Sequence, residues 1–427
     1  MKFIREYIML IGIFLTSVCM TAQEQDFLQT PVWQEGYLDI HHILYGNGNS
    51  TFVIMPDGTN MLIDAGDIGD KSKRIWGNPL TATDPYPNAQ KSAAERIVEY
   101  IKRTLPKENV EIDYAVITHF HDDHMGIVNN ETPFSKYGKY RISGITEIGD
   151  LTRIKTLIDR NYPHYDFPTD LKNYYNKEPG LFLNYLNFLE YKKQKGLKIE
   201  SLEVGSKEQI ILKHNKPNYP LFKITGLKKN GEIWKGKSNR TINYFTPKDA
   251  LDKNNKFDEN PMSLALKISY GKFDYYTGGD NTGIQESGKP KWVDVETPIS
   301  KAVGKVEVAV LNHHGVRDAV NENWLRNSQP QAVIQQSWSS NHPGEEVVHR
   351  LINRNIVKKE IDIFALEILE ATKQTIGFWL TNNYKSTFGH IIVRVLPGGN
   401  SYYIMIAESD QNYDVKIRKV FGPYICF

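Results

Sequence analysis

Thr118-His119-Phe120-His121-Asp122-Asp123-His124 is the stretch on which the reading of this chain turns. Three imidazoles and two carboxylates fall within six positions, directly after the apolar run Tyr114–Ile117. A helix would scatter these groups around its circumference, whereas a loop at a strand end can converge them. Imidazole and carboxylate together suit zinc and similar divalent ions. His119 and His121 can clasp one ion from one side, and Asp123 and His124 then point to a neighbouring one. Two ions about 3.5–4 Å apart can share a hydroxide and polarise a phosphoryl or carbonyl oxygen. Burying so many ionisable groups without a cation would be costly.

Two further pieces each follow a strand of their own. Tyr276-Thr277-Gly278-Gly279-Asp280-Asn281 places a carboxylate after flexible glycines, and Leu311-Asn312-His313-His314-Gly315 ends an alternating Val306–Val310 strand. Three polar clusters at three strand ends support one another as parts of a single site.

The surrounding pattern is that of an α/β protein. Tyr37–Ile54 alternates apolar and polar residues, Asp57-Gly58 supplies a hairpin turn, and Met61–Ala65 is a short buried strand. Ser92 with Glu95 forms a capping box, with Ala94, Ile97, Val98, Ile101 and Leu105 on one helical face and Pro106 as the stop. Leu264–Ile268 and Phe273–Tyr276 pair across Gly271-Lys272. Strand–strand–helix–strand order predicts a layered sandwich. Residues from about 130 to 257 break the rhythm and read as a helical insertion, with Leu181–Tyr191 as one helix. Residues 171–240 hold 15 Lys+Arg against 6 Asp+Glu, although the whole chain of 427 residues balances 52 against 50. That local excess fits either a solvated face or an electropositive lid over an anionic substrate. Its aromatics could also stack on bases. A C-terminal hairpin is expected from Ile391, Val393 and Val395, a turn at Pro397-Gly398-Gly399-Asn400, and Tyr402, Ile404 and Ile406.

On these residues the chain resembles the metallo-β-lactamase fold superfamily, whose His-x-His-x-Asp-His hallmark is matched by His119, His121, Asp123 and His124. The bridging Asp of that family matches Asp280, and its late His before Gly matches His314 better than His313. The resemblance implies a four-layer αββα sandwich with one or two divalent metal ions at one edge of the two sheets, zinc first and manganese as the alternative. A narrower resemblance is to the hydrolase domain of the competence protein ComEC. It rests on Gly46-Asn47-Gly48-Asn49-Ser50, Leu62-Ile63-Asp64-Ala65-Gly66, Asn260-Pro261-Met262-Ser263, Thr277-Gly278-Gly279-Asp280, His313-His314-Gly315 and Asn341-His342-Pro343. Asn49 stands where such proteins usually carry Asp, and His121 where many of them carry Asp. Aligning on Ser263 puts Glu259 or Asn260 at the place of the third histidine of the first metal site. His164 and His214 are alternatives within the insertion, and His313 is an additional candidate ligand.

The expected organisation is a signal peptide over 1–22, a hydrolase domain over 23–355 that includes the insertion, and a C-terminal extension over 356–427. Lys2 and Arg5, the apolar run Tyr7–Val18 and the small-residue exit Met20-Thr21-Ala22 have the make-up of a secretory signal. The run is shorter than the roughly 20 residues that a membrane span needs. A periplasmic or extracellular location follows, with a lipid anchor at Cys19 as the lesser alternative. Cleavage would leave Cys426 as the one cysteine, so no intrachain disulfide is expected.

The function expected first is an exported phosphodiesterase or nuclease acting on an anionic small molecule or nucleic acid. Its nucleophile would be a hydroxide on the metal, since binding lowers the pKa of water to about 7. Asp123 would orient that nucleophile or take its proton, and His342 would hold the departing oxygen as donor or general acid. Arg317 is the candidate contact for an anionic group. A lactone or β-lactam hydrolase and a non-catalytic metal-binding surface module are the alternatives.

Overall fold

The protein is described from a computed structural model that covers residues 27–69, 80–105 and 110–427. The expected signal peptide, Cys19 and Pro106 lie outside the described residues. None of the described helices is long and apolar enough to cross a membrane.

In chain order the strands are β1 (Leu38–His42), β2 (Thr51–Ile54), β3 (Asn60–Ile63), β4 (Glu111–Val116), β5 (Arg153–Asp159), β6 (Lys198–Ser201), β7 (Phe222–Lys229), β8 (Glu232–Trp234), β9 (Thr241–Asn243), β10 (Ala265–Tyr270), β11 (Phe273–Thr277), β12 (Val308–Val310), β13 (Ala332–Gln335), β14 (Asp362–Ala365), β15 (Tyr384–Ser386), β16 (His390–Val395), β17 (Ser401–Ser409) and β18 (Val415–Ile425). They form two nine-stranded sheets, ordered β18-β17-β16-β1-β2-β3-β4-β5-β6 and β15-β14-β13-β12-β11-β10-β7-β8-β9.

Side chains alternate across each strand, so one strand feeds two apolar layers. Tyr114 and Val116 of β4 face the layer between the sheets, together with Val308 and Val310 of β12. Ala115 and Ile117 face outward, where Ala94, Ile97 and Ile101 of the helix Ala93–Thr104 cover them. Ala309 and Leu311 face the opposite outer layer, covered by Ile299, Trp324 and Val348 from three helices. Helix, sheet, sheet and helix therefore stack in four layers, as the family resemblance implies. The capping box on Ser92 and Glu95 is present, with Ser92 N–H donating to Glu95 Oε2 at 2.8 Å and Glu95 N–H to Ser92 Oγ at 3.1 Å.

Two expectations need correction. The segment 130–257 is helical only in part. The helix Leu181–Gln194 is there, but β5 and β6 complete the first sheet and β7 pairs along β10 in the second. Its strands carry lysines, one of which, Lys228, is buried with its Nζ donating to the Pro261 and Ser263 carbonyls. The stretch after 355 is likewise no appendage. β14 runs parallel to β13, and β16 pairs with β1, placing Ile40 opposite Val393. The C-terminal hairpin itself forms as expected, with Val393 opposite Ile404.

Candidate metal centre

Carboxyl ends of parallel strands gather the polar clusters at one edge of the sandwich. Strands β3 and β4 run parallel, as do β11, β12 and β13. The loops that leave β4, β11 and β12 carry His119–His124, Asp280 and His313–His314.

Close backbone packing holds the histidine loop. Ala65 N–H donates to the His124 carbonyl at 2.9 Å and Asp67 N–H to the Asp122 carbonyl at 3.0 Å. A Cβ on Gly66 would lie 1.7 Å from the Asp123 carbonyl oxygen, so only glycine fits there. Asp64 anchors the loop from beneath. Its Oδ1 accepts Thr118 N–H at 2.8 Å, and its Oδ2 lies 2.8 Å from both Thr118 Oγ1 and His124 Nδ1.

Two donor groups result. Asp123, His124, Asp280 and His314 form one, and His119, His121 and Asp280 the other, with ligand atoms within 4.8 Å of one another in each. Asp280 belongs to both. Its Oδ1 lies 3.1 Å from His124 Nε2, and its Oδ2 lies 3.4 Å from His314 Nε2 and 3.7 Å from His119 Nε2. Asp123 Oδ2 lies 3.1 Å from His314 Nε2, and His119 Nε2 lies 3.1 Å from His121 Nδ1.

The electrostatics match a cation site. Burial opposes the charge on Asp123 and Asp280, but His124 and His314 outweigh it and hold both carboxyls well below their usual range. Burial, reinforced by His124, keeps His119 neutral. Burial also opposes charge on His124, yet the carboxylates of Asp280, Asp123 and Asp64 push it well above the ordinary imidazole value. Asp123 Oδ1 is buried without a hydrogen-bond partner, and His124 Nε2 and Asp280 Oδ1 form an ion pair at 3.1 Å that lacks hydrogen-bond alignment. Buried polar atoms are rarely left so, and here they converge on one place. The residues present therefore fit one or two divalent ions.

The remaining predicted residues divide. Glu259 is committed elsewhere. Arg160 Nε and Nη2 grip its two carboxylate oxygens at 2.7 Å each, and Phe120 N–H donates to Oε1 at 3.0 Å. This corrects its candidacy as a ligand, because its oxygens already hold a buried guanidinium. Asn260 donates from Nδ2 to His313 Nε2 at 3.0 Å. Arg317 points its guanidinium to Glu286 at 2.7 Å and is largely exposed, so it is not gathered into the cluster. His164 is exposed, and His214 lies against Asp113, 3.9 Å away. His342 is buried and stacks on His314, with centroids 4.5 Å apart and planes 11° apart. Its Nδ1 accepts the Trp338 and Ser339 N–H groups at 3.2 Å. The proton of the neutral ring is thereby placed on Nε2. His313, His314 and His342 share a cavity of about 180 Å³ with Ile68, Ala82 and Trp338.

Sequence reasoning missed the residues that orient the ligands. Asp64 serves His124, the Gln336 carbonyl takes His314 Nδ1 at 3.0 Å, and Asp318 takes His313 Nδ1 at 2.7 Å. Such outer partners set the tautomer and direction of ligand histidines. The one available signal was Asp64, which sits inside the quoted Leu62–Gly66 motif.

A search of curated proteins returned no match. Residues 44–161 match the family model described as Metallo-beta-lactamase superfamily, and that span includes β2 to β5 and the whole histidine loop. Together with the two sheets and the His/Asp cluster, the match marks residues 44–161 as a metallo-beta-lactamase superfamily domain, which suggests a metal-dependent hydrolase.

Proposed function

We propose that the protein is an exported phosphodiesterase or nuclease-like hydrolase of the kind its ComEC-like motifs imply, with zinc or manganese as the ion. The observation that carries this reading is Asp280, whose two oxygens reach both donor groups. When bound, the ions supply Lewis acidity at a phosphoryl oxygen and acidify a water.

The chain's own residues divide the remaining work. Asp123 has one oxygen against His314 and the other buried and unpaired, so Oδ1 is placed to take a proton from the attacking water. His342 donates a hydrogen bond from Nε2 to the departing oxygen, and it keeps that orientation because two backbone N–H groups hold Nδ1. Burial beside His314 holds the ring well below the ordinary imidazole pKa, so it acts as a neutral donor. Trp338 stands perpendicular to it at 4.9 Å and limits its rotation. The lysine-rich stretch 171–240 supports an anionic substrate.

The apolar wall of Ile68, Ala82 and Trp338 beside His314 favours a second reading, hydrolysis of a lactone or related acyl compound. The test is turnover of bis-p-nitrophenyl phosphate and single-stranded DNA after loading with zinc or manganese, beside Asp123→Ala. Metal-dependent cleavage that the variant loses supports the first reading. Nucleic-acid binding should also weaken with salt by about 0.7–0.9 log units per log for each phosphate contact. Cleavage of lactones alone, with the ion bound, would replace it with the second.

A further inference from the structure

We propose that the helix Leu181–Gln194 and the hairpin over 134–141 form a binding site for single-stranded nucleic acid, holding the part of a strand that lies away from the scissile phosphate. The inference rests on the phosphodiesterase reading above and adds to it a site outside the metal centre.

The helix gives the site its direction. At its start, the Phe182 ring lies 5.1 Å from the ring of Phe120, which sits between His119 and His121. At its end, Tyr191 and Lys195 share a cavity with Arg153 and Ile154, the first residues of β5. β5 runs parallel to β4, whose carboxyl end leads into the histidine loop, so the helix leads away from the metal centre. Its 14 residues span about 21 Å, room for about six stacked nucleotides.

Two cavities lie along this helix in succession. The first, of about 380 Å³, is lined by Leu183 and Asn187 with Val128, Lys139 and Arg141, and Val128 follows closely on His124 in the chain. The second, of about 340 Å³, is lined by Tyr191, Lys192 and Lys195 with Tyr137 and Arg153.

The hairpin that contributes to both cavities is firmly anchored. Ser135 N–H donates to the Tyr140 carbonyl at 2.8 Å, and Asp150 accepts the Ser135 and Tyr140 hydroxyls at 2.6 Å each. Asn184 of the helix brackets Arg141, accepting its N–H at 2.6 Å and donating to its carbonyl at 3.0 Å. Phe134 and Tyr137 are nevertheless 63% and 49% exposed. Large apolar groups held outward on a fixed loop mark a contact surface.

Each ring has a cation beside it. The Arg141 guanidinium carbon lies 4.1 Å from the Phe134 centroid, Lys136 Nζ 4.9 Å from that of Tyr137, and Lys195 Nζ 5.8 Å from that of Tyr191. Residues 134–141 carry three cations and no carboxylate, and residues 191–198 carry four and none. Asp150, which borders the second cavity, is neutralised by Lys192 at 2.9 Å. Rings for bases and cations for phosphates are the two things a single strand needs. A saturated anionic polymer would use the cations and leave the rings idle.

The test is fluorescence anisotropy of a labelled twelve-residue oligothymidylate with the chelator-treated full chain, so that binding is read without cleavage. Phe134→Ala with Tyr137→Ala should weaken binding by about fivefold or more at an unchanged salt dependence. Lys139→Gln with Lys195→Gln should lower the slope of log affinity against log salt by about 1.4, or about 0.7 for each lost phosphate contact. Both double variants, loaded with metal, should cleave bis-p-nitrophenyl phosphate like the natural chain, because that diester is too small to reach along the helix. Natural affinity in both variants, or no binding by a natural chain that still cleaves the small diester, would overturn the proposal and leave the hydrolase reading standing. Dextran sulfate bound as tightly as the oligonucleotide, with no effect of the rings, would overturn it in favour of a polymer without bases. Binding that the variants lose, in a chain that cleaves no diester, would support the site and overturn the phosphodiesterase reading.

Discussion

Arg160→Met isolates a buried charge that the metal centre leans on. Arg160 and Glu259 are both buried, and their guanidinium–carboxylate pair is bidentate at 2.7 Å. The third arm, Nη1, donates to the Phe167 carbonyl and to Asn230 Oδ1 at 2.9 Å. Removing the guanidinium leaves the Glu259 carboxylate without its countercharge, and breaking a buried pair in this way costs about 3–5 kcal/mol. The unfolding entropy of about 2.1 cal/mol/K per residue gives roughly 0.9 kcal/mol/K for 427 residues. The melting midpoint of the metal-free protein should therefore fall by about 3–6 °C, read by far-UV circular dichroism. The double variant Arg160→Met with Glu259→Gln should regain most of that loss, because no unpaired charge remains and the amide oxygen can still accept Phe120 N–H. A shift below about 1 °C for the single variant, or a double variant no better than the single one, would refute the reasoning.

Three other outcomes are expected. His342→Ala should lower kcat on a phosphodiester by about 10²–10⁴-fold while metal content stays the same; a loss of bound metal would show instead that the residue serves the ligands. Adding zinc at about 100 times its Kd should stabilise the natural chain by roughly 2.7 kcal/mol, a gain that Asp123→Ala should lack in the same melting experiment. Glu147→Gln should raise the melting midpoint at pH 8 and leave it unchanged at pH 4. Burial, aided by Glu95, Asp67 and Asp150 and opposed by the Ser92 hydroxyl, raises the Glu147 carboxyl from 4.5 to about 7. Between those values the folded chain keeps a proton that the unfolded chain has released, so this stability is intact below pH 4.5 and is lost as the pH passes 7. An equal gain at both pH values would point to packing rather than charge.

The metal cluster was legible because its chemistry is crowded into few positions. His119 to His124 and His313 to Gly315 announce themselves by residue type and spacing. The sandwich was legible from the short apolar runs of β3 and β4 and the alternation in β12, whose side chains serve two apolar layers at once. The orienting residues were not legible in the same way. Asp318 and Arg160 are single charged residues among many, and the partner of Arg160 is 99 positions away. The strands of 130–257 were hidden for a related reason. Phe222–Lys229 does alternate, but Lys228 sits where an apolar residue would announce burial, and only the Pro261 and Ser263 carbonyls make that lysine tolerable. The place of the C-terminal hairpin could not be read at all, since β16 finds β1 across nearly the whole chain.

That pairing sets a clock on biosynthesis. Arg394 grips the buried Asp39 carboxylate through Nε and Nη2, and the two residues are 355 positions apart. At about 5–20 residues per second, a ribosome needs roughly 18–70 s to deliver the arginine after the aspartate. Throughout that interval β1 has β2 for a neighbour and nothing along its other edge, and Asp39 has no countercharge. The first sheet therefore cannot close along β1 until β16 has been made, well after the histidine loop.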